Sequence, residues 1–333
     1  MMPGILVIIL NYRTAPMTLR AARAALAAMQ GLKAELIIVD NASGDGSDLA
    51  LAQALAQEDW ARSAPVRLIL SDVNNGFGAG NNIGMRAGMS DGTQPDYVYL
   101  LNSDAFPEAD AIATLVAYLE AHPEAGIAGS YTQGEDGAPH ETAFRFPSVW
   151  SEIEDAARTG PVTRLLRRHV VSPGIPAESG PVDWLAGASM MIRRSVLDRI
   201  GAFDETFFLY FEETDLCRRA ADAGHERHFV RESRVVHIGS ASTGLKRRAR
   251  VPAYWFDSRR HYFRKTHGLA YACAATLGHL AGGALWRLRC VLGRRRDEGP
   301  DHFLRDLAAH DLAAAFGSRP RRRRRGVTPM RQE

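Results

Sequence analysis

The sequence predicts an α/β fold, in which helices flank a mostly parallel sheet. Runs typical of strands alternate with runs typical of helices from the N-terminus onward, which indicates successive βαβ units. Two of the strand-like runs, Ile5–Leu10 and Val98–Leu101, are continuous in apolar or aromatic residues, as expected for strands that are covered on both faces. The chain has 333 residues, 46% hydrophobic and 24% charged, which is ordinary for a globular protein with a large core.

The elements follow one another at a regular pace. Apolar runs predict strands, and helical spacing of apolar residues or start and stop signals predict the helices between them. Thr14 is a candidate N-cap, with Pro16 in the first turn of its helix. The predicted strands are 5–10, 36–39, 66–70, 97–101 and 126–130, and the predicted helices are 14–30, 48–57, about 84–89 and 107–121.

Polar residues follow the predicted strands at the points where the strands end. Right-handed crossovers place these ends along one edge of the sheet. Asn11, Asp40, the 74–82 loop and Asp104 should therefore gather around one cleft, where open α/β sheets bind their ligands.

Asn102-Ser103-Asp104 ends the strand 97–101 abruptly. A carboxylate on a rigid strand end can hold a hard divalent cation that also binds a diphosphate. The alternative is an Asx-type turn, which the same three residues encode well.

The loop 74–84 is rich in glycine and asparagine. Its glycines have neither the spacing of a dinucleotide fingerprint nor the lysine of a Walker loop. They would let the backbone approach a ligand closely, and Asn81 and Asn82 could offer amide groups to it. The alternative is a flexible connection between strand and helix.

The second half of the chain changes character after residue 130. We expect residues 131–181 to form a long loop over the cleft or, alternatively, a disordered, structureless insert. An aromatic loop, 201–211, then precedes three carboxylates at a helix start, Glu212, Glu213 and Asp215. They could simply complement the helix dipole, or one of them could be a general base whose pKa is raised by desolvation. His237, within an apolar strand, is a core residue or a nitrogen ligand to the same metal as Asp104.

Together these segments resemble family 2 glycosyltransferases, and within them the rhamnosyltransferase-like branch. The resemblance covers about residues 4–245, and more loosely Tyr254–Gly268. It implies a GT-A fold, Rossmann-like in its sheet, and an inverting transfer from a nucleoside-diphosphate sugar that depends on Mg2+ or Mn2+. The segments that carry it are ILVIILNYRTAP, LIIVDNASGDGS, NNGFGAGNNIGMRAG, YVYLLNSDA, WLAGASMMIRRSVLDRIGAFDETFFLYFEETDLCRRAADAG and VVHIGSAST.

The resemblance also implies roles for individual residues. Asp40 matches the nucleobase contact, and Asn102-Ser103-Asp104 occupies the D-x-D position, with only one carboxylate where the family has two. Glu213 matches the general base of the E-D-x-D motif, with Glu212 and Asp215 as rivals. The implied set is completed by Asn11, Arg13 and Asn82 near the nucleotide, Asn102 and Ser103 beside it, and Asp104 and His237 as metal ligands.

The C-terminal quarter differs in charge. From residue 246 onward it holds 21 Lys and Arg against 7 Asp and Glu. We expect a basic, aromatic helix at 252–266, and then an uncharged segment, 268–286, that packs on the catalytic domain or lies at an anionic membrane surface. A membrane-spanning helix is the less favoured alternative, because the segment lacks a strong run of Leu, Ile and Val. The Arg-rich end, 319–333, predicts a disordered tail. No base-reading motif accompanies it, so the sequence does not favour nucleic acid as a partner.

The sequence therefore predicts a catalytic domain, 1–245, divided at about residue 130 into nucleotide-sugar and acceptor halves, followed by a basic helical region, 246–318. The predicted donor is dTDP-rhamnose or, second, a UDP-hexose, and the acceptor is a saccharide, free or linked to polyprenyl diphosphate, used for surface polysaccharide. Three scattered cysteines favour the reducing cytoplasm, with peripheral contact to the inner face of the membrane. The rival function is a catalytically weak nucleotide- or glycan-binding protein.

Overall fold

The computed structural model of the chain describes residues 2–62, 64–239, 250–293 and 299–317. Strands and helices alternate through the first half, and helices predominate after residue 250. The strands are β1 Gly4–Asn11, β2 Lys33–Asp40, β3 Val66–Leu70, β4 Tyr97–Asn102, β5 Ala105–Pro107, β6 Ala125–Gln133, β7 Pro139–His140, β8 Ala143–Phe144, β9 Gly180–Val182, β10 Trp184–Leu185, β11 Ser189–Arg193 and β12 Glu226–His237. The helices are α1 Ala15–Ala28, α2 Ser47–Gln57, α3 Asp59–Arg62, α4 Phe77–Ala87, α5 Ala111–Ala121, α6 Val149–Ala157, α7 Gly160–Leu165, α8 Arg194–Ile200, α9 Glu212–Asp222, α10 Ala253–His267, α11 Leu269–Leu292 and α12 Phe303–Ala315, with a short 3-10 turn at Arg167–His169.

The central sheet confirms the predicted fold class. Its strands lie in the order β3-β2-β1-β4-β11-β6-β12-β5, and β3, β2, β1 and β4 run parallel. Alternate residues of β1 enter two different cores: Ile5, Val7 and Ile9 pack on one side, and Leu6 and Ile8 on the other. Both faces of the strand are therefore covered, which explains its uninterrupted apolar sequence.

Three local features differ from the sequence-based expectation. Helix α4 begins at Phe77, inside the glycine-rich segment, rather than after it. The helix expected from Pro107 begins at Ala111, because Ala105–Pro107 forms strand β5. Thr14 precedes α1 but makes no side-chain cap. Its hydroxyl instead lies within hydrogen-bond distance of Asn11 and Ser103.

The segment 131–181 is not a structureless insert, because it contains short strands and the helices α6 and α7. Helix α6 packs along α11, where two glycines allow close approach. A Cβ added to Gly278 or Gly282 would lie 3.0 Å from the Ile153 side chain or 2.6 Å from its carbonyl oxygen, respectively. The C-terminal helices therefore pack on the preceding domain.

A buried ion-pair network joins the same helices. Arg259 of α10, only 1% exposed, donates to both carboxylate oxygens of Glu152 on α6. His279 of α11 contacts the same carboxylate at 2.7 Å. Burial acts to raise the pKa of Glu152, but Arg259 and His279 hold it below its usual value. A carboxylate that is buried with these partners ties the three helices together.

The structure describes no helix that is both long and apolar enough to cross a bilayer. Helix α11 is instead one of the packed helices, as expected for the segment 268–286. The last four residues of the segment VVHIGSAST, 240–243, the predicted boundary at residue 245 and the predicted tail 319–333 lie outside the described residues.

Candidate active site

The ends of β1 and β2 meet in a buried hydrogen-bond cluster. Asn11 pairs with Asp40 in the β1–β2 register, and its Nδ2 donates to Asp40 Oδ1 at 2.6 Å. Ser43 donates to the same carboxylate from its hydroxyl at 2.5 Å and from its backbone N–H at 3.1 Å. Thr18 in turn donates to Asn11 Oδ1 at 2.6 Å. The cluster holds Asp40 in one orientation at the carboxyl edge of the sheet.

Arg13 lies at the rim of this cluster in a left-handed conformation, with φ of 59°. Its Nε donates to the Ser43 carbonyl at 2.8 Å, and its backbone N–H donates to the Ser43 hydroxyl at 3.0 Å. Thr14 then connects the cluster to the Ser103 hydroxyl at 3.1 Å. The predicted grouping of Asn11, Asp40 and the Asn102-Ser103-Asp104 segment is therefore present.

Asp104 and His237 also lie together. Strand β5 pairs antiparallel with β12, with Ala105 opposite His237. The Ile238 backbone N–H donates to the Asp104 carbonyl at 3.0 Å. As a result, His237 Nε2 is 3.2 Å from Asp104 Oδ1, and the ring of His140 stands edge-on to His237 at 6.1 Å.

The donor set fits a divalent cation that is shared with a substrate. A carboxylate oxygen suits Mg2+ and Mn2+, and a neutral imidazole nitrogen is the commonest metal ligand in proteins. Within the described ranges, no group of three or more His, Cys, Asp or Glu side chains is arranged to hold a metal. Asp104 and His237 would thus supply part of a coordination shell, and phosphate oxygens and water would supply the rest.

The glycine-rich segment is attached to the aromatic loop 201–211 at two points. The Phe77 backbone N–H donates to the Phe208 carbonyl at 2.9 Å, and a Cβ on Gly76, where φ is +99°, would collide with that carbonyl. Five residues later, Asn82 donates to the Phe203 carbonyl at 2.9 Å and accepts from the Phe203 N–H at 3.1 Å. Asn82 is therefore buried between α4 and this loop, where it fixes their relative position.

Glu213 is the partly exposed carboxylate at the start of α9. Its Oε1 accepts a hydrogen bond from the Gly187 backbone N–H at 3.2 Å. The next residue, Ala188, accepts from the Asn102 N–H at 3.1 Å, so one turn borders both Glu213 and the Asn102-Ser103-Asp104 segment. Burial raises the pKa of Glu213, although its backbone hydrogen bonds oppose the change. A carboxylate with a raised pKa beside a cleft is suited to general base catalysis.

Glu212 is more deeply buried, with 1% of its surface exposed. Its Oε2 has no hydrogen-bond partner among the described residues. Burial, followed by the charge of Glu213, raises the pKa of Glu212 well above its usual value. The two residues before it, Tyr210 and Phe211, have φ of 70° and 68°, an uncommon conformation for bulky residues.

Asp215 is engaged in ion pairs. It is 2% exposed, and its two carboxylate oxygens contact Arg219 Nε at 2.8 Å and Lys265 Nζ at 2.7 Å. Lys265 belongs to α10 and also contacts Asp204 Oδ2 at 2.9 Å, as does His261. Asp215 thus joins the helix that carries Glu213 to the C-terminal helices.

Sequence reasoning missed the partners that position these residues. Ser43, Lys265, His261 and His140 each contact a predicted site residue or its ion-pair network. Lys265, His261 and His140 stand in no motif that indicates such a contact. A signal existed only for Ser43, which follows Asp40 by three residues in a turn-rich loop.

The chain also resembles known proteins. The chain matches the model of the family "Glycosyl transferase family 2" over residues 6–201. It is 29% identical over 244 residues to the N-acetylglucosaminyl-diphospho-decaprenol L-rhamnosyltransferase of Mycobacterium tuberculosis, covering 68% of this chain and 75% of that protein. It is 30% identical over 166 residues to the rhamnosyltransferase WbbL of Escherichia coli, covering 49% and 60%.

Solved structures show the same fold at low sequence identity. The mannosyltransferase PcManGT of Pyrobaculum calidifontis, solved with GDP-Man and Mn2+, superposes with a TM-score of 0.57 at 16% identity, over 96% of this chain and 82% of that one. TarS of S. aureus, solved with UDP-GlcNAc, gives 0.53 at 12% identity, over 93% and 81%. The family match extends over more than half of the chain, so this protein belongs to glycosyl transferase family 2 and is a glycosyltransferase of the GT-A fold, similar to rhamnosyltransferases.

Proposed function

We propose that the protein transfers a sugar, with inversion at the anomeric carbon, from a nucleoside diphosphate to a saccharide acceptor. One observation carries the proposal. The turn 187–188 joins Glu213 on one side to Asn102 and thereby to Asp104 on the other. A base and a diphosphate-binding group on two sides of one cleft are what a single in-line displacement requires.

Glu213 is the proposed general base. The acceptor hydroxyl must lose its proton as its oxygen attacks the anomeric carbon, and a carboxylate with a raised pKa is better matched to that proton than an ordinary one. Asp215 is the weaker candidate, because both of its oxygens contact cations. Glu212 is also a weaker candidate than Glu213, because its side chain is almost completely buried.

Asp104 and His237 are the proposed protein ligands of a divalent cation, Mg2+ or Mn2+. When bound, that cation would neutralise charge on the departing nucleoside diphosphate. Asp40, oriented by Asn11 and Ser43, is the proposed contact to the nucleobase, and Arg13 lies beside it. Asn102 and Ser103 would support the same proposed nucleotide site. Asn82 would act indirectly, because it holds the aromatic loop in place.

The proposed donor is dTDP-rhamnose, with UDP-hexoses second, and the proposed acceptor is a saccharide linked to polyprenyl diphosphate in the synthesis of surface polysaccharide. The similarity to two rhamnosyltransferases supports this choice, since one of them is named for a decaprenyl-diphosphate substrate. Such an acceptor implies work in the cytoplasm at the inner face of the membrane.

A panel of nucleoside-diphosphate sugars tests the proposal. Each is added to the full chain with and without Mn2+, and the apparent melting temperature is measured, because a ligand that binds the native state raises it. We expect the largest rise with dTDP-rhamnose and Mn2+ together, and release of dTDP on adding a lipid-linked saccharide. Donor binding without release of the nucleoside diphosphate, with every acceptor tried, would favour the rival function of a nucleotide- or glycan-binding protein. Asn102, which stands where the family has a carboxylate, suggests that rival.

A further inference from the structure

Helix α11 has one buried face and one exposed apolar face. Its buried face packs on α6 through Gly278 and Gly282, and on Leu304 of α12 through Gly283. The opposite face exposes several large apolar side chains close together, and the surfaces of soluble proteins seldom carry such a contiguous apolar patch. These are Leu277 at 66%, Leu285 at 41%, Leu288 at 55%, Val291 at 76% and Leu292 at 75%.

The exposed apolar residues form a continuous stripe. Successive residues of a helix are rotated by about 100°, so these five side chains fall within an arc of about 120°. The exposed Cys273, Ala281 and Ala284 fall within the same arc and extend the stripe toward the start of the helix. From Cys273 to Leu292 it is about 30 Å long. We refer to residues 273, 277, 281, 284, 285, 288, 291 and 292 as the α11 stripe.

Positive charge flanks the stripe on both sides. Arg287 and Arg289 are exposed neighbours of Leu288, and helical geometry places them about 100° to either side of the middle of the stripe. Helix α11 contains no Asp or Glu. Arg289 also donates to the Arg158 carbonyl, just before α7 begins. Helix α7 and the turn after it expose a further leucine, Leu165 at 82%, among arginines 164, 167 and 168.

We propose that the α11 stripe docks on the surface of an anionic lipid bilayer. The leucines would enter the boundary between headgroups and acyl chains, while the two arginines reach lipid phosphates at its edges. A second copy of the chain fits this face less well, because α11 offers no carboxylate to the arginines of a facing α11. The proposal concerns a surface apart from the cleft and does not rest on the proposed transfer reaction.

Cys273 provides a probe within the stripe of the natural chain. Cys217 and Cys290 are buried, whereas Cys273 is exposed. The full chain is labelled at Cys273 with an environment-sensitive fluorophore and mixed with vesicles of phosphatidylcholine that contain phosphatidylglycerol. We expect a blue shift that saturates with lipid, is weaker with phosphatidylcholine alone and decreases with salt. An unchanged spectrum with the anionic vesicles would overturn the proposal.

Variants separate the stripe from the Arg-rich C-terminal tail, which could bind anionic lipid by itself. Co-sedimentation with the same vesicles is compared for Leu288→Glu and for Leu49→Glu, a matched control at a 73% exposed leucine on α2. We expect Leu288→Glu to weaken binding about tenfold and Arg287→Gln about fivefold, while Leu49→Glu has little effect.

Two further results would overturn the proposal. One is equal binding by Leu288→Glu and Leu49→Glu, which would place the contact elsewhere on the chain. The other is a dimer on size-exclusion chromatography that Leu288→Glu converts to monomer, which would show that a second copy covers the stripe. Donor binding, measured in parallel without lipid, should be unchanged in all variants, so that failure here is distinct from failure of the proposed function.

Discussion

Asp40 and Glu212, two buried carboxylates of the candidate site, have opposite surroundings. In the half that begins the chain, Asp40 accepts hydrogen bonds from Asn11 and Ser43. At the start of α9, Glu212 has an oxygen with no hydrogen-bond partner in the described part of the chain, and burial raises the pKa of both Glu212 and Glu213. Several donors around a carboxylate fix its position, whereas burial with few donors makes it more basic. In the proposed reaction, these surroundings would suit Asp40 to binding and the start of α9 to proton transfer.

Glu213→Gln gives the largest expected effect. The amide preserves the shape of the side chain but cannot accept a proton, so we expect transfer to fall about 10²- to 10⁴-fold while donor affinity stays within a factor of two or so. Single-turnover transfer and calorimetric donor binding are the measurements. Asp222→Asn, at the exposed end of the same helix, is the control. Normal turnover in Glu213→Gln would remove Glu213 as the base.

Asp104→Ala tests the binding half. Removal of one of the two proposed protein ligands should weaken nucleotide binding in the presence of Mn2+ about tenfold or more, with a smaller change in its absence. Isothermal titration with dTDP and UDP measures both affinities. Asp72→Asn, an exposed carboxylate near the end of β3, should behave as wild type. Equal loss of affinity with and without Mn2+ would argue for a role of Asp104 that is independent of the metal.

Glu212→Gln tests the contrast through stability. The raised pKa means that the fold favours the neutral acid, so its stabilising effect is complete at low pH and is lost as the pH rises through the raised value. A tenfold difference in proton affinity between the folded and unfolded chain corresponds to about 1.4 kcal/mol of unfolding free energy. We expect the variant to match wild type near pH 4 and to be more stable at pH 8, as measured by urea unfolding. A variant that is less stable at both pH values would show that the carboxyl group makes a favourable contact.

Lys265→Met gives the smallest expected effect and tests whether Asp215 is structural. Lys265 is about one-third exposed and Asp215 keeps Arg219, so we expect a loss of about 1 kcal/mol or less in unfolding free energy. Lys33→Met, at an exposed lysine, is the control. Chemical denaturation and kcat are measured together. A large fall in kcat at unchanged stability would show that Asp215 takes part in the reaction.

The sequence predicted most of the elements that frame the cleft. Apolar runs indicated β1, β2 and β4, whose central residues are buried, and also β3, which lies at the edge of the sheet and is only partly buried. It did not indicate β5, since three residues are too few for a periodic signal. Yet the pairing of β5 with β12 is what brings Asp104 to His237. In the same way, the role of Asp215 depends on Lys265, fifty residues later, and such long-range ion pairs have no local sequence signature.

The contact between Gly76 and Phe208 has a consequence for the order of events on the enzyme. The glycine-rich segment borders the nucleotide half, and the aromatic loop leads directly into α9. The Phe77 N–H is bonded to the Phe208 carbonyl, and no side chain fits at Gly76, so the two segments are held together at this point. In the proposed reaction, a donor that orders the glycine-rich segment would also order the aromatic loop. The acceptor would then lose less conformational entropy on binding and would bind more tightly. By linkage, the acceptor must raise the affinity for the donor by the same factor.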